Sequence, residues 1–184
     1  GTPENYEFEY SSTSPYSTDD SNWSVLDTVT ASYISKIITG LTNGTTYHFR
    51  VRAQNSNSGT SAWAQTYTTN TSGYVPFTVP NAPVISLSRT ETSTSTAVLT
   101  WTKLSETSET GGKTLIGYIV TPYLNGLPLT AKRCTVDKSQ NVCRISGLTN
   151  RKKYTFNMVA TNSAGSSPVS NTVEATIPGI DQTI

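Results

Sequence analysis

Residues 40–56 read GLTNGTTYHFRVRAQNS, and residues 147–163 read GLTNRKKYTFNMVATNS. Gly, Leu, Thr, Asn, Tyr, Phe, Ala, Asn and Ser recur in the same register, so the chain contains an internal repeat. Within the first stretch, Tyr47, Phe49 and Val51 alternate with polar residues. An alternation with a period of two predicts a β-strand that has one buried face and one face in water.

The similarity extends upstream of this strand. Tyr6 and Phe8 alternate with glutamates in the first copy, as Tyr118 and Val120 alternate with their neighbours in the second. Strand candidates in the second copy, separated by turn residues, are 84–88, 96–102, 115–124, 130–135, 142–145, 154–162 and 172–177. The Asn125-Gly126 pair is a strong signal for a tight hairpin. Seven short strands without helical periodicity predict an all-β sandwich.

This pattern resembles a fibronectin type III domain over Pro83–Pro178. The resemblance is carried by Leu99, Trp101, Gly117, Tyr118, Val120, Gly147, Leu148, Tyr154, Ala160, Asn162 and Gly165. It implies an immunoglobulin-like sandwich whose core contains Leu99, Trp101, Tyr118, Val120 and Phe156. In this family a Leu-x5-Tyr element forms the tyrosine corner, whose hydroxyl ties the turn before the sixth strand to the main chain. The pairs that fit this spacing are Leu41 with Tyr47 and Leu148 with Tyr154.

The first copy departs from the family because its alignable part begins only at the third strand. The first two strands, with a counterpart of Trp101, have no match in the sequence. The residues expected in the core of this copy, Tyr6, Phe8, Phe49 and Val51, would then lack the sheet that covers them. Three explanations stay open: the chain is a piece of a longer polypeptide, another subunit donates the strands, or the first domain is a half-sandwich.

We therefore expect two fibronectin type III-like sandwiches in tandem, the first lacking its first two strands. The predicted divisions are an incomplete domain over 1–79, a linker over 80–83, a complete domain over 84–178, and the start of a linker or further module over 179–184. Since the linker contains Pro80 and Pro83, we expect it to be stiff.

The two cysteines, Cys134 and Cys143, lie close together in the sequence. Two thiols cannot form a tetrahedral zinc site, and the single histidine lies far away. A local disulfide is favoured over a pair of free thiols, and it would imply an oxidising compartment. Cys-x8-Cys before the Gly-Leu-Thr-Asn element resembles secreted bacterial members of the family. Glycosylation sequons, which agree with exposed loops of a secreted or cell-surface protein, occur at Asn22, Asn43 and Asn70.

The charge distribution argues against two classes of partner. The formal net charge is +1, and the densest basic run, Arg151-Lys152-Lys153, lies within one predicted turn. Binding to nucleic acid requires a wider basic face, so we expect none. No apolar run approaches the roughly 20 residues that cross a bilayer, so we expect no membrane insertion. Nothing in the sequence predicts a cofactor.

We expect no catalytic or metal-binding residue. Any Ser-His-Asp triad must use His48, which the alternation places on a solvated strand face beside Arg50. Glu7 and Glu9 share one strand face, but no cleft-forming elements accompany them, so we expect solvated charges there too. Asp19-Asp20 lies outside any recognisable calcium-binding loop.

Trp23 and Trp63 are the candidate partner contacts. Structural packing is favoured for both, with stacking on a sugar or contact with a partner as the alternative. The low-complexity segment Ser105–Thr110 is predicted to be a flexible, solvated loop.

The function predicted from these features is a non-catalytic structural spacer or adhesion module of an extracellular multidomain surface or filament protein. Its partners would be neighbouring modules of the same polypeptide or neighbouring subunits, with a glycan or surface protein as a further candidate. The alternatives are a carbohydrate- or protein-binding accessory region of a secreted glycoside hydrolase, and a phage tail or capsid decoration module.

Overall fold

The computed structural model describes residues 1–13, 20–33, 35–65 and 73–179. The chain divides into two compact units, Gly1–Pro76 and Phe77–Ile184. Strands and turns form both units, and the described segments contain short 3-10 turns but no α-helix. In those segments no helix is long and apolar enough to cross a membrane. The predictions made for Asp19, for the sequon at Asn70 and for residues 180–184 fall outside the described residues.

The described strands of the first unit belong to one antiparallel sheet. They are β1 (Asn5–Ser11), β2 (Ser24–Thr30), β3 (His48–Asn55), β4 (Gly59–Thr60) and β5 (Ala64–Gln65). β1 lies between β2 and β3, while the short strands β4 and β5 both pair with β3. Among the described residues of this unit, no second sheet faces this one.

The second unit is a sandwich of two antiparallel sheets. Its strands are β6 (Ile85–Glu91), β7 (Thr96–Trp101), β8 (Gly117–Leu124), β9 (Leu127–Pro128), β10 (Cys134–Asp137), β11 (Val142–Ile145), β12 (Lys153–Asn162), β13 (Gly165–Ser166) and β14 (Val173–Thr176). One sheet has the order β11-β7-β6, and the other has the order β10-β8-β12 with β14 beside β12. The predicted all-β sandwich is confirmed. The predicted strand 130–135 begins only at Cys134, since Thr130–Lys132 forms a 3-10 turn.

A single apolar core lies between the two sheets of the second unit. Its buried members are Ile85, Ala97, Leu99, Trp101, Leu115, Tyr118, Val120, Cys143, Ile145, Leu148, Tyr154, Phe156, Met158, Ala160, Ala175 and Ile177. The rings of Trp101 from one sheet and Tyr118 from the other are 5.3 Å apart between centroids. A disulfide joins Cys134 on β10 to Cys143 on β11 and therefore connects the two sheets covalently.

The turns have the geometry that their sequences favour. Asn125 and Gly126 both have positive φ, 52° and 79°, and connect β8 to β9 in a tight hairpin. The hydroxyl oxygen of Tyr154 accepts a hydrogen bond of 2.9 Å from the backbone N–H of Thr149. In the first unit Tyr47 accepts the matching bond of 3.0 Å from Thr42.

The residues predicted to form a linker, 80–83, lie within the second unit. Pro80 and Pro83 are among its fully buried side chains. The prolines are therefore packed against the sandwich and do not stand free in a connection.

Candidate binding surface on the two faces of the first sheet

One face of the first sheet is polar in sequence and buried in the structure. His48 and Arg50 are only 6% and 4% exposed, and Glu7 and Glu9 are 9% and 7% exposed. The prediction that these side chains are solvated was wrong. Trp23 and Trp63 contact the guanidinium of Arg50, and each charged side chain has a partner of opposite sign on the neighbouring strand.

The charge pairs follow from the register of β1 and β3, which places Glu9 opposite Arg50 and Glu7 opposite Arg52. Nε of Arg50 donates to Oε2 of Glu9 at 2.6 Å. Nε of Arg52 donates to Oε2 of Glu7 at 2.5 Å, and Nε2 of Gln54 donates to the same oxygen at 2.8 Å. Opposite charges directly across two strands stabilise the pairing. Both carboxylates are thus engaged by cations, and neither is presented as an acid or base.

Trp23, Arg50, Trp63 and Arg52 form an alternating stack, which we call the Arg–Trp ladder. The guanidinium carbon of Arg50 lies 4.4 Å from the ring centroid of Trp23 and 4.1 Å from that of Trp63. The guanidinium carbon of Arg52 lies 4.3 Å from the Trp63 ring. Cation–π contacts of this kind contribute about 0.5–1 kcal/mol when exposed and about 2 kcal/mol when desolvated.

The Arg–Trp ladder bears on the role of the two tryptophans. Trp23 is only 7% exposed, and Trp63 is half-buried against two guanidinium groups. A tryptophan that binds a sugar needs an accessible ring face. The geometry therefore favours packing over sugar stacking. The ladder itself was not predicted. The available signal was the presence of two arginines two residues apart on one strand, with tryptophans in the flanking segments.

His48 lies at the start of β3 on the same face as Arg50. Its Nδ1 is buried and has no hydrogen-bond partner among the described residues. Burial lowers the pKa of the imidazole below its ordinary value of 6.5, because the charged form loses hydration. A Cβ at Gly73 would lie 2.7 Å from Cε1 of His48, so the chain near Gly73 closes over the ring.

The opposite face of the first sheet carries the aromatic side chains. Tyr6, Phe8, Phe49 and Val51, which were predicted to be core residues, are only half-buried. The ring of Phe49 lies 6.1 Å from that of Tyr74, which is 49% exposed. We call this surface the aromatic face.

The second unit shows why the aromatic face is incompletely buried. Tyr6 pairs with Ala53 just as Tyr118 pairs with Ala160, the alanine at the same place in the repeat. Tyr118 is 0% exposed, as is Phe156, which corresponds to Phe49. Their cover is the opposing sheet β11-β7-β6. The described part of the first unit has no such sheet, so these side chains form a partly open surface, in agreement with the expectation that they would lack a covering sheet.

The described glycosylation sequons lie in turns. Asn22 lies in an exposed 3-10 turn and Asn43 in a half-buried turn. Within the described ranges, no three His, Cys, Asp or Glu side chains come close enough to hold a metal ion.

Two opposed antiparallel sheets with this strand order define an immunoglobulin-like β-sandwich protein. The model of the fibronectin type III domain family matches residues 81–176, and the chain belongs to this family. Modules of this family are generally non-catalytic and typical of extracellular modular proteins.

The chain is also similar, at low identity, to several solved structures. The chain is 21% identical to the FN1–FN3 domains of chicken CNTN1, with a TM-score of 0.47. The match covers 95% of the present chain and 56% of the CNTN1 chain. It is 18% identical to a two-domain fibronectin type III segment of chicken tenascin, with a TM-score of 0.46 and coverage of 96% and 86%. A structure described as "Myokine structure" has 20% identity, a TM-score of 0.44 and coverage of 54% and 98%.

Proposed function

We propose that the chain is a non-catalytic structural spacer of an extracellular multidomain surface or filament protein. The observation that supports this proposal is the two-sheet sandwich of the second unit, whose sheets are linked by the Cys134–Cys143 disulfide. A covalent link between two sheets maintains their packing when the domain is under load, and disulfides persist in oxidising compartments. A bacterial origin remains a prediction that rests on the cysteine spacing alone.

The spacer role is favoured over adhesion through the tryptophans. In an adhesive surface, aromatic anchors are presented to a partner. Here Trp23 and Trp63 stack on arginines of their own sheet, within 4.5 Å of the guanidinium carbons. Their function in this proposal is to hold the first sheet together.

The partner of the aromatic face is, in this proposal, a neighbouring module of the same polypeptide or a neighbouring subunit. Tyr6 and Phe8 need what Tyr118 and Val120 have, a sheet with apolar side chains directed at them. Strands supplied by a neighbour would bury the half-exposed rings and stabilise the unit by about 25 cal/mol per Å² of apolar surface.

The spacer role is tested by pulling on the whole chain between reference domains in a single-molecule force experiment. We expect a discrete unfolding event for the second unit. Reduction of the Cys134–Cys143 bond should lengthen the extension by roughly 3 nm, since the residues between the cysteines are released. A Cys134→Ser/Cys143→Ser variant should show the longer extension with or without reductant.

Two results would contradict the spacer role. One is extension of the second unit without a resolvable force peak. The other is binding of the unmodified chain to a panel of polysaccharides that is lost in a Trp63→Ala variant whose first unit still folds and unfolds as it does in the unmodified chain. That result would establish adhesion through the Arg–Trp ladder instead.

A further inference from the structure

Residues 77–81, which we call the entry strap, lie against the turn that precedes β8 in the second unit. The backbone N–H of Thr78 donates to the carbonyl of Gly111 at 2.8 Å, and that of Asn81 donates to the carbonyl of Glu109 at 2.8 Å. Nζ of Lys113 lies 4.5 Å from the ring centroid of Phe77. The strap is therefore bonded to the sandwich along its length.

Asn162, at the end of β12, connects the strap to two other segments. Its side chain is 4% exposed overall, and Nδ2 donates to the carbonyls of Thr78 at 2.7 Å and Thr110 at 2.9 Å. Its Oδ1 accepts from the backbone N–H of Ala164 at 2.7 Å. Both amide protons are used, so the side chain holds the strap, the turn before β8 and the turn after β12 together.

Gly111 is the position that lets the strap approach. Its φ is +71°, and a Cβ built there would lie 2.3 Å from the carbonyl oxygen of Thr78 and 2.6 Å from that of Val79. Gly126 has a similar φ of +79° in the β8–β9 turn, but nothing lies within 4 Å of its Cβ position. The two glycines share a backbone requirement and differ in whether a neighbour blocks a side chain.

The turn that receives the strap is ordered by its own hydrogen bonds. Oε2 of Glu109 accepts from the backbone N–H groups of Ser105 at 2.9 Å and Glu106 at 3.1 Å. These bonds favour the ionised carboxylate and lower the pKa of Glu109. Ser105–Thr110 was predicted to be a flexible, solvated loop; residues 105–108 are exposed, a charged side chain caps the backbone of its own turn, and the flexibility stays a prediction.

The first unit contains a related arrangement at the equivalent asparagine. Oδ1 of Asn55 accepts from the backbone N–H groups of Asn57 at 2.9 Å and Ser58 at 3.1 Å, while Nδ2 donates to the carbonyl of Thr2 at 2.6 Å. In this unit too, the Ala-x-Asn element caps the turn after its strand, and it binds the segment that precedes β1. In the second unit the strap carbonyl of Thr78 is an additional acceptor.

We propose that Asn162 and Gly111 form a docking site for the chain that enters the second unit, so that residues 77–81 fold and unfold with the sandwich and do not behave as a linker. Asn162 is the positioning residue, and Gly111 provides the space. The docking site goes beyond the spacer role and does not depend on it.

The test is amide hydrogen exchange on the full chain, read at Thr78 and Asn81. Gly111→Ala should speed exchange at both amides at least tenfold relative to Gly126→Ala, the control that carries the same left-handed backbone penalty. Asn162→Asp removes both donors and keeps the acceptor. It should speed exchange at Thr78 and Asn81 by roughly three- to tenfold, as expected for a lost hydrogen bond, and leave Ala164 protected.

Two results would overturn the docking site. In the first, Thr78 and Asn81 exchange in the unmodified chain at the rate of an unstructured peptide. In the second, Gly111→Ala and Asn162→Asp both leave the two amides as protected as Gly126→Ala does. Core amides of β12 serve as the internal reference. If both variants speed the exchange of these amides as much as that of Thr78 and Asn81, neither residue acts on the strap specifically, and this result would also contradict the proposal.

Discussion

Arg50 and Glu9 face each other across β3 and β1, with Nε and Oε2 2.6 Å apart and exposures of 4% and 7%. Taking two charges out of water is costly, and close pairing offsets that cost only while both partners are present. The pair is also flanked by the indoles of Trp23 and Trp63, which contact the same guanidinium. The polar face of the first sheet is therefore sensitive to the loss of a single charge.

We predict that Arg50→Ala destabilises the first unit by about 3–5 kcal/mol, because it leaves the carboxylate of Glu9 buried without a cation. The control is Lys36→Ala, which removes an exposed ion pair with Asp27 and should lower the stability far less than Arg50→Ala does, because water screens exposed charges. Urea unfolding followed by tryptophan fluorescence measures both. Equal midpoints for the two variants would show that the buried pair contributes nothing.

The buried imidazole of His48 should make the first unit sensitive to acid. Its pKa in the folded state is lowered, so the native protein binds fewer protons than the unfolded chain below the ordinary value of 6.5. Stability is then fully present above about pH 6.5 and decreases as the pH falls below it. Since the chain has one histidine, its single imidazole resonance in an NMR titration reports the pKa directly.

The matched variant for this prediction is His48→Thr, which places at position 48 the residue that the second copy has at Thr155. It should remove the loss of stability just below pH 6.5. A native histidine that titrates at or above its ordinary pKa would contradict the prediction.

Breaking the Cys134–Cys143 bond should destabilise the second unit by about 2–3 kcal/mol, the amount that closing a short loop contributes on the chain-entropy model. Thermal unfolding of the Cys134→Ser/Cys143→Ser variant measures this effect. Adding a reductant should lower the midpoint of the unmodified chain and leave that of the variant unchanged. If the unmodified chain does not respond to reductant, the disulfide has no stabilising role.

Tyr154→Phe should destabilise the second unit by about 0.5–1.5 kcal/mol, because the backbone N–H of Thr149 loses its acceptor. Tyr47→Phe should have a similar effect in the first unit, where the donor is Thr42. Tyr123→Phe, at a half-buried tyrosine of β8 outside the corner, is the control and should change the unfolding midpoint little. Identical unfolding midpoints for Tyr154→Phe and Tyr123→Phe would show that the hydroxyl of the tyrosine corner does not stabilise the unit.

Local patterns in the sequence predicted the long strands and the main hairpin of the second unit, but not the short strands β9 and β13 or the 3-10 turn at Thr130–Lys132. The alternation around Tyr154 and Phe156 predicts β12, and Asn125-Gly126 predicts the hairpin after β8, because both depend on residues adjacent in the chain. The internal repeat extends the same reasoning to β1 and β3. A local disulfide was the favoured prediction because Cys134 and Cys143 are the two cysteines of the sequence and lie close together in it.

The burial of the first sheet could not be predicted in this way. Alternation shows that Glu9 and Phe8 lie on opposite faces, but it does not show what covers each face. Trp63 lies thirteen residues beyond Arg50 in the sequence, and the Glu9 partner of Arg50 lies 41 residues before it. Contacts between segments so far apart are set by the register of strands and by packing.

The repeat at residues 40–56 and 147–163 predicted β3 and β12 with their alternating faces, and the resemblance to the fibronectin type III family implied the two tyrosine corners. Only the tertiary structure decided that Glu9 and Arg50 are buried and that residues 77–81 dock on Asn162. The physical reason is that strand periodicity is a local property of the backbone, whereas burial depends on which distant segment or sheet excludes water from a given face.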